Sequence, residues 1–576
     1  MRAVICAVNS SYIHSSLAAA IIYNDAMKTP NIDACIVELN INENPATALD
    51  KLYSQQGDVY LFSCYIWNIN YIKALVSDLK KVHSCIVVIG GPEVSHSPSY
   101  ALSSFAEADY AVMGNAEYTT RELLFYLDSG DRADLFLENV YSHESIDKIS
   151  DAPAAIFDFS TREFPYSEST FGRFDGKIVY YESMRGCPYS CTFCLSGNSG
   201  SLSFVEIQQV EEEIMFFINN KAKLVKFIDR TFNANLSRAK RIVRFIIENN
   251  ISTTFHFEVC LNSFDEELTN LFANAPKGYF QLEAGLQSVN QKTLGIIKRK
   301  TDIVSFRKTL HSLLENDNVH VHTDLIAMLP EETLESFFYG FDFLFYLSPH
   351  TIQLGFLKVL KGTQMYADAD RHGIVYSSEP PYEALKTSKI SYSEKTLLQK
   401  ISFLTEKYFN SGLFSETLNA LCIGKDISPH SLFSMLSEYF TKNGLFGMSH
   451  SQKSLFMHFQ SFIAESGHDM DSYLAIDYIN TVSLRLPSFL MGSVREPQKS
   501  EVFDYINNNA SVFAGFPTLQ SKSAKEIYKR IAIYAIKGIF GSEPVMFVDE
   551  MEDKTRSKRK RAAANITFEA QNTSPA

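Results

Sequence analysis

The sequence predicts an α/β protein with an N-terminal doubly wound parallel sheet, a central incomplete barrel or curled parallel sheet, and a mostly helical C-terminal domain. Three observations predict it. Apolar runs alternate with helical patterns up to residue 130, the alternation resumes from 177 to 356, and helical periodicity dominates from 371 to 551. Continuous apolar strands separated by helices imply parallel sheets covered on both faces. A chain of 576 residues accommodates three or four domains at roughly 150 residues each.

In the first domain, 1–135, strands are expected at 3–8, 34–39, 59–64, 86–89 and 110–113, with helices near 14–27, 72–82 and 116–127. The opening run also suits the start of a signal peptide, but Asn9, Ser10, Ser11 and His14 interrupt it too early. Such a sheet binds ligands at the C-terminal ends of its strands. Residues 136–176 lack periodicity, carry Pro153 and Pro165, and are expected to be a linker. In the second domain, 177–370, strands are expected at 178–182, 224–228, 254–259, 280–283, 320–326 and 351–356. A helix over 204–218 places Ile207, Val210, Ile214, Phe217 and Ile218 on one face. In the third, 371–551, Leu398, Ile401, Leu404 and Tyr408 follow helical spacing, with short strands near 531–534 and 545–548. Residues 552–576, with Lys558, Arg559, Lys560 and Arg561, read as a disordered basic tail.

Lys and Arg number 53 against 66 Asp and Glu, so the net charge of −13 argues against a broad nucleic-acid surface. No apolar run approaches the roughly 18 residues of a membrane span. Nine cysteines scattered over the chain do not make a secreted disulfide framework, and point to a reducing, cytoplasmic compartment.

Three of them are crowded together. After the first strand of the second domain comes Arg185-Gly186-Cys187-Pro188-Tyr189-Ser190-Cys191-Thr192-Phe193-Cys194. Thiolates at Cys187, Cys191 and Cys194 can converge on one metal centre. A structural zinc site wants four ligands, and no fourth Cys or His lies at zinc-finger spacing. A cubane iron–sulfur cluster held by three thiolates keeps one iron open for a ligand. Phe193 would help exclude water, while Gly186 and Pro188 shape the loop. Three buried cysteines, or a zinc loop with a remote fourth ligand, are the alternatives.

This loop resembles the signature of the radical S-adenosylmethionine (SAM) superfamily. The resemblance implies a [4Fe–4S] cluster on the three cysteines, SAM bound at the open iron, and reductive cleavage of SAM to methionine and a 5′-deoxyadenosyl radical. It also implies a partial (β/α)6 barrel and an electron donor of flavodoxin or ferredoxin type. Segments 281–290, Thr293, Leu294 and Arg299 resemble the family's fourth strand and following helix, and 324–330 its fifth strand, where Met328 stands in place of the usual glycine. Carried over by that resemblance, Glu258 and Glu283 would face the SAM amino or ribose groups, Arg299 its carboxylate and Asp324 a ribose hydroxyl. A salt bridge at the barrel end is the alternative for each. Asp229, in Asp229-Arg230-Thr231-Phe232-Asn233, replaces the family's usual Gly-Gly-Glu segment, and would bind the SAM amino group or cap the next helix.

The N-terminal domain is similar to that of cobalamin-binding members. Ser63 and Trp67 end the third strand, Gly90 and Gly91 the fourth, and paired glycines let a backbone approach a flat ligand. Trp67 would line a corrin or fill a domain interface. Gly114-Asn115-Ala116-Glu117 partly matches the Gly-Glu-Gly-Glu of related chains. His14 would contact a ligand or bond locally at a helix entry. From Leu357 onward, the chain resembles a domain of uncharacterised function found in one such subgroup.

The reading is a radical SAM enzyme acting on a small-molecule substrate, with cobalamin as second cofactor and methyl transfer to an unreactive carbon as the outcome. The alternatives are a radical SAM enzyme without cobalamin, acting by another rearrangement or methylthiolation, and a non-catalytic iron–sulfur or zinc protein.

Overall fold

The computed structural model describes residues 1–130, 137, 139–144, 158–198, 202–539, 543–549 and 560–563. They form two compact units, the first of residues 1–349 and 353–395, the second of 350–352 and the chain from 396.

The first unit contains both predicted sheets. The N-terminal strands are β1 (Arg2–Asn9), β2 (Asp33–Asn40), β3 (Val59–Ser63), β4 (Ile86–Gly90) and β5 (Tyr110–Val112), with β6 (Val140–Ser142) beyond them. Their order is β2-β1-β3-β4-β5-β6, parallel except for β6, which runs antiparallel to β5. The expected five-stranded sheet is thus corrected to six, because part of the presumed linker supplies an edge strand. Strand order reverses between β1 and β3, which places the ligand crevice of a doubly wound sheet outside their C-terminal ends. Helix Pro45–Tyr53 was not foreseen, although Asn44 caps it and Pro45 occupies its first turn.

The central sheet comprises β7 (Ile178–Tyr181), β8 (Leu224–Phe227), β9 (Thr254–Val259), β10 (Phe280–Gln287), β11 (His320–Ala327) and β12 (Thr351–Phe356). They lie in sequential order with β7 and β12 at the two edges, an open six-stranded arrangement. Buried Phe255, Phe257, Leu282, Ala284, Val321 and Leu325 alternate with polar Glu258, Gln281, Glu283, His320, His322 and Asp324. Strand alternation therefore gives one apolar face to the helices and one polar face to the concave side. Register aligns Glu258, Glu283 and His322 across three strands, and Gly285 with Asp324. A closed barrel of this kind is usually filled by branched apolar side chains; this polar wall is a ligand surface instead.

The described part of the predicted linker is also packed. Arg162 Nη1 and Nη2 donate to Glu213 Oε1 and Oε2 at 2.8 and 2.6 Å, and both side chains are buried. Tyr181 Oη donates to the same Glu213 at 2.5 Å. Removing one partner of a buried pair strands the other charge. Arg162→Met should therefore destabilise the first unit by about 3–5 kcal/mol, read from the urea midpoint of unfolding.

In the second unit, Val494–Arg495, Ile531–Ile536, Pro544–Val548 and Lys560–Ala563 form an antiparallel sheet. All six residues of Ile531–Ile536 are buried, with Ala475, Ile476 and Ile479 packed on one face and Val502, Tyr505 and Ile506 on the other. Helices Pro429–Lys442 and Gln452–Glu465 add the expected helical character. Residues 371–395 pack with the first unit. The expected disordered tail is corrected at 560–563, whose backbone pairs with Pro544–Val548. Lys558 and Arg559 lie outside the described residues.

Candidate active site

The cysteine loop leaves β7 through Met184–Arg185, which pairs with Ser203–Phe204, and turns at Gly186 with φ of +101°. That left-handed value is open to glycine and strained for other residues. Cys194 N donates to Cys191 O at 3.1 Å and Gly197 N to Cys194 O at 3.0 Å. A Cβ on Gly197 would stand 2.5 Å from Cys191 O, so the loop closes tightly on a residue without a side chain.

None of the three loop cysteines is held in a disulfide, and they line one cavity with Phe193, Glu258, Glu283, Arg299 and Asp324, the residues expected there from the sequence. Arg299 Nη2 donates to Gly285 O at 2.6 Å and Nη1 reaches to 4.0 Å from Cys191 Sγ. Burial pushes the Cys191 thiol up, against the pull of Arg299. Glu283 pairs with Lys226 at 3.1 Å and lies 3.4 Å from His256 Nε2. Burial, followed by repulsion from Glu283 and Glu258, pushes Asp324 up to about 7, and its Oδ1 is buried without a partner.

Sequence reasoning missed Gln287, Arg230, Thr231, Tyr189 and Cys260, which line the same cavity. Gln287 was within reach of a closer reading. A β-bulge separates Gly285 from Gln287, which has φ of +70°, and a Cβ on Gly285 would stand 1.9 Å from Gln287 Nε2. Gly285 thus exists to admit the Gln287 amide, whose Oε1 is buried and partnerless. Met328, where a glycine was expected, adopts φ of +71° while fully buried, so this strand end keeps the glycine backbone at the cost of strain.

Asp229 does not reach the cavity. It is 1% exposed and accepts from Ser183 N at 2.7 Å, Ser183 Oγ at 2.5 Å and Met184 N at 3.1 Å. Nor does it cap the next helix, which Asn235 does. The turn after β8 explains the correction: it gives Arg230 and Thr231 to the cavity and directs Asp229 to the amides of Ser183 and Met184, where it anchors the segment that enters the cysteine loop.

At the C-terminal edge of the N-terminal sheet, Asn68 Nδ2 donates to Val8 O at 3.0 Å and Ser63 O at 3.1 Å, locking the ends of β1 and β3. Trp67, 48% exposed, stacks on Tyr65 with centroids 4.4 Å apart. Burial, followed by the Cys64 thiol behind it, raises the Tyr65 hydroxyl to about 12. Gly91 has φ of +97°, and a Cβ there would stand 2.8 Å from Cys64 O. The missing side chain at Gly91 therefore admits the chain's own backbone, whereas a Cβ on Gly90 would make only an ordinary contact, 3.4 Å from Val112 O. His14 bonds locally through its backbone, N donating to Ser11 O at 3.3 Å, while its ring Nδ1 lies 2.6 Å from Tyr180 Oη on the central sheet. Arg185 joins the two sheets, donating to Asn115 at 2.8 Å and Glu117 at 2.8 Å while holding Glu182 at 2.7 Å.

The donor set fits an iron–sulfur cluster and SAM: three thiols outside any disulfide, one guanidinium and two partnerless buried oxygens converge on one cavity. Among the described residues, no group of three His, Cys, Asp or Glu side chains is arranged to hold a single metal ion. The N-terminal edge fits a flat ligand through the exposed face of Trp67 rather than through its glycines.

An open parallel sheet with a three-thiol loop after its first strand, joined to a doubly wound domain, defines the class. Residues 181–343 match the model of the radical SAM superfamily, 4–124 that of the B12 binding domain, and 370–554 that of a protein of unknown function (DUF4080). The chain therefore carries a radical SAM domain between an N-terminal B12 binding domain and a C-terminal domain of unknown function. It is similar to 2-(S-pantetheinyl)-carbapenam-3-carboxylate methyltransferase of Streptantibioticus cattleyicolor, with 26% identity over 49% of this chain and 44% of that protein. It is also similar to the cobalamin-dependent radical SAM methyltransferase TokK of Streptomyces tokunonensis, with 24% identity over 49% and 44%. Each match thus spans less than half of the curated relative. The cobalamin-dependent SAM radical enzyme OxsB, solved with aqua-cobalamin and SAM, shares the fold over 82% of this chain and 76% of its own, at a TM-score of 0.56 and 13% identity.

One expectation follows from Asp324. An ionised carboxylate there would accept hydrogen bonds from ribose hydroxyls and attract a cationic sulfonium, and the ionised form predominates above about pH 7. SAM affinity should rise between pH 6 and 8, and Asp324→Asn should flatten that rise, as read by equilibrium binding to the cluster-loaded protein.

Proposed function

We propose that the chain is a cytoplasmic, cobalamin-dependent radical SAM enzyme that cleaves SAM reductively and transfers a methyl group to an unreactive carbon of a small-molecule substrate. One observation carries this reading: the thiols of Cys187, Cys191 and Cys194 converge with Arg299, Gln287 and Asp324 on one cavity. When bound, a [4Fe–4S] cluster supplies an electron to SAM and cobalamin carries a methyl group. Cys187, Cys191 and Cys194 hold the cluster and leave one iron without a protein ligand. Arg299 meets the SAM carboxylate, Asp324 a ribose hydroxyl, and Glu258 and Glu283 the amino or ribose groups. Phe193 keeps water from the cluster, and Trp67 offers its face to the corrin. No helix is long and apolar enough to cross a membrane among the described residues.

A second reading, a radical SAM enzyme without cobalamin, is favoured by the Gly91 geometry, since the chain's own Cys64 fills the space that a flat ligand would use. Anaerobic reconstitution with cobalamin separates the two. The first reading expects a corrin spectrum, 5′-deoxyadenosine and substrate gaining one methyl group; an iron–sulfur spectrum with no retained corrin supports the second. Trp67→Ala should weaken corrin retention roughly tenfold, for an aromatic stacking contact of about 1–1.5 kcal/mol, and leave iron content unchanged.

A further inference from the structure

The C-terminal end of β4 carries a cluster of ionisable groups that the SAM cavity does not use. Glu93, two residues past Gly91, is buried, and its Oε2 accepts from Tyr382 Oη at 3.0 Å. Tyr382 is buried as well, and its backbone is tied to the segment after β12, with Val359 N donating to Tyr382 O at 2.9 Å. Lys361, from that same segment, holds its ammonium 3.4 Å from the Tyr100 ring centroid and 4.7 Å from that of Tyr382. His96 stands 5.2 Å from Tyr100, ring centre to ring centre, and its Nε2 is buried without a partner. Gly362 closes the cluster, since a Cβ there would stand 3.2 Å from His96 Cβ. All of these residues belong to the first unit, and Tyr382 falls within the stretch matched by the domain of unknown function.

Charge does not balance here. Lys361 donates to Tyr382 Oη at 3.4 Å and otherwise faces rings, while Lys73, on helix Ile69–Val82, lies over Phe105 at 5.6 Å. Among the described residues, neither ammonium stands within salt-bridge distance of a carboxylate. The acid that both lysines act on is Glu93, whose carboxyl burial pushes up. Two cations therefore face one carboxyl that burial disfavours as an anion, on a chain whose net charge is −13. Contact with two aromatic faces fixes the direction of the Lys361 ammonium and leaves donors to spare. An ammonium in that state, beside an imidazole nitrogen with no partner, is the complement of an oxyanion.

We propose that Lys361, with Lys73, His96 and Tyr100 around it, is a binding site for a phosphate-type oxyanion, built jointly by the N-terminal sheet and the opening segment of the domain of unknown function. The strand end it occupies is the edge at which a doubly wound sheet takes its ligands. Two molecules of the proposed reaction can bring such a group: cobalamin, whose nucleotide loop carries one phosphodiester, and a phosphorylated substrate. In the first case the site rests on the cobalamin reading above.

The test is isothermal titration calorimetry of the full-length protein with inorganic phosphate, beside equilibrium binding of hydroxocobalamin and of cobinamide, which lacks the nucleotide loop. Lys361→Gln should weaken phosphate binding on the order of tenfold or more, the effect of losing a hydrogen bond to a charged group. Lys73→Gln should weaken it by a smaller factor, and Lys277→Gln, before the start of β10, should leave it as it is. Loss of cobalamin affinity in Lys361→Gln with cobinamide affinity kept supports the site and identifies the nucleotide loop as the source of the anion. Unchanged affinity for both corrins, with phosphate binding lost, supports the site and identifies a substrate phosphate. Wild-type protein that binds no phosphate, or phosphate bound as tightly after both lysine substitutions, overturns the proposal, as does an equal loss of both corrins. Wild-type protein that retains neither corrin overturns the cobalamin reading, and the phosphate titration then decides the site by itself.

Discussion

Alanine in place of any one of Cys187, Cys191 or Cys194 is expected to strip the protein of its iron and sulfide and to bring 5′-deoxyadenosine formation below detection. Two remaining thiolates leave two irons without protein ligands, and the cluster loses the geometry that keeps one iron free for SAM. Cys260 supplies the demanding control. It is 9% exposed and lines the same cavity as the loop cysteines, so it is the candidate for a remote fourth ligand in a zinc site. Cys260→Ala should keep iron, sulfide and SAM cleavage. Loss of metal in Cys260→Ala, with zinc as the metal bound by the wild type, would support a closed four-ligand site instead. The readouts are iron, sulfide and zinc content beside product analysis of the same preparation.

Removal of the Asp229 carboxylate is the second large effect. Asp229→Ala leaves the amides of Ser183 and Met184 and the Ser183 hydroxyl without their acceptor in a buried site. Each stranded donor costs about 1–3 kcal/mol, so a loss of at least about 3 kcal/mol is expected in denaturant unfolding, together with lower cluster occupancy as the entry to the loop loosens. Burial raises Asp229 to about 7, against the pull of its three hydrogen bonds. Its folded value therefore lies above the unfolded value near 3.9, and the native state holds the extra proton between them. Stability from this group is full below about pH 4 and is lost as pH rises through about 7. Asp229→Asn should reduce that slope while retaining most of the stability. Asp324→Asn offers the contrast: a partnerless carboxyl should cost little stability, and its loss should appear in SAM binding.

The central sheet was legible because strand alternation and the cysteine spacing are both local signals. Glu258, Glu283 and Asp324 line the cavity from β9, β10 and β11, and Arg299 from the segment after helix Gln291–Ile296. Asp229 was misread because the turn after β8, which the motif alone does not describe, gives Arg230 to the cavity and Asp229 to the Ser183 and Met184 amides. Gly91 was misread for a related reason. Its need for a bare backbone is real, but the neighbour is Cys64, more than twenty positions earlier in the chain, a tertiary contact with no local signature. Gln287 hid behind a bulge, where φ is positive and the alternation breaks. The edge strand Val140–Ser142 and the buried Arg162 lie in a segment poor in periodicity, whose packing rests on ion pairs and ring contacts with distant residues.

The most direct test of the account is electron paramagnetic resonance of the reconstituted, reduced protein before and after SAM is added. The account predicts the signal of a reduced [4Fe–4S] cluster whose g-values shift on SAM binding, followed by 5′-deoxyadenosine in the same sample. A cluster signal that SAM leaves unmoved, with no deoxyadenosine formed, would contradict it.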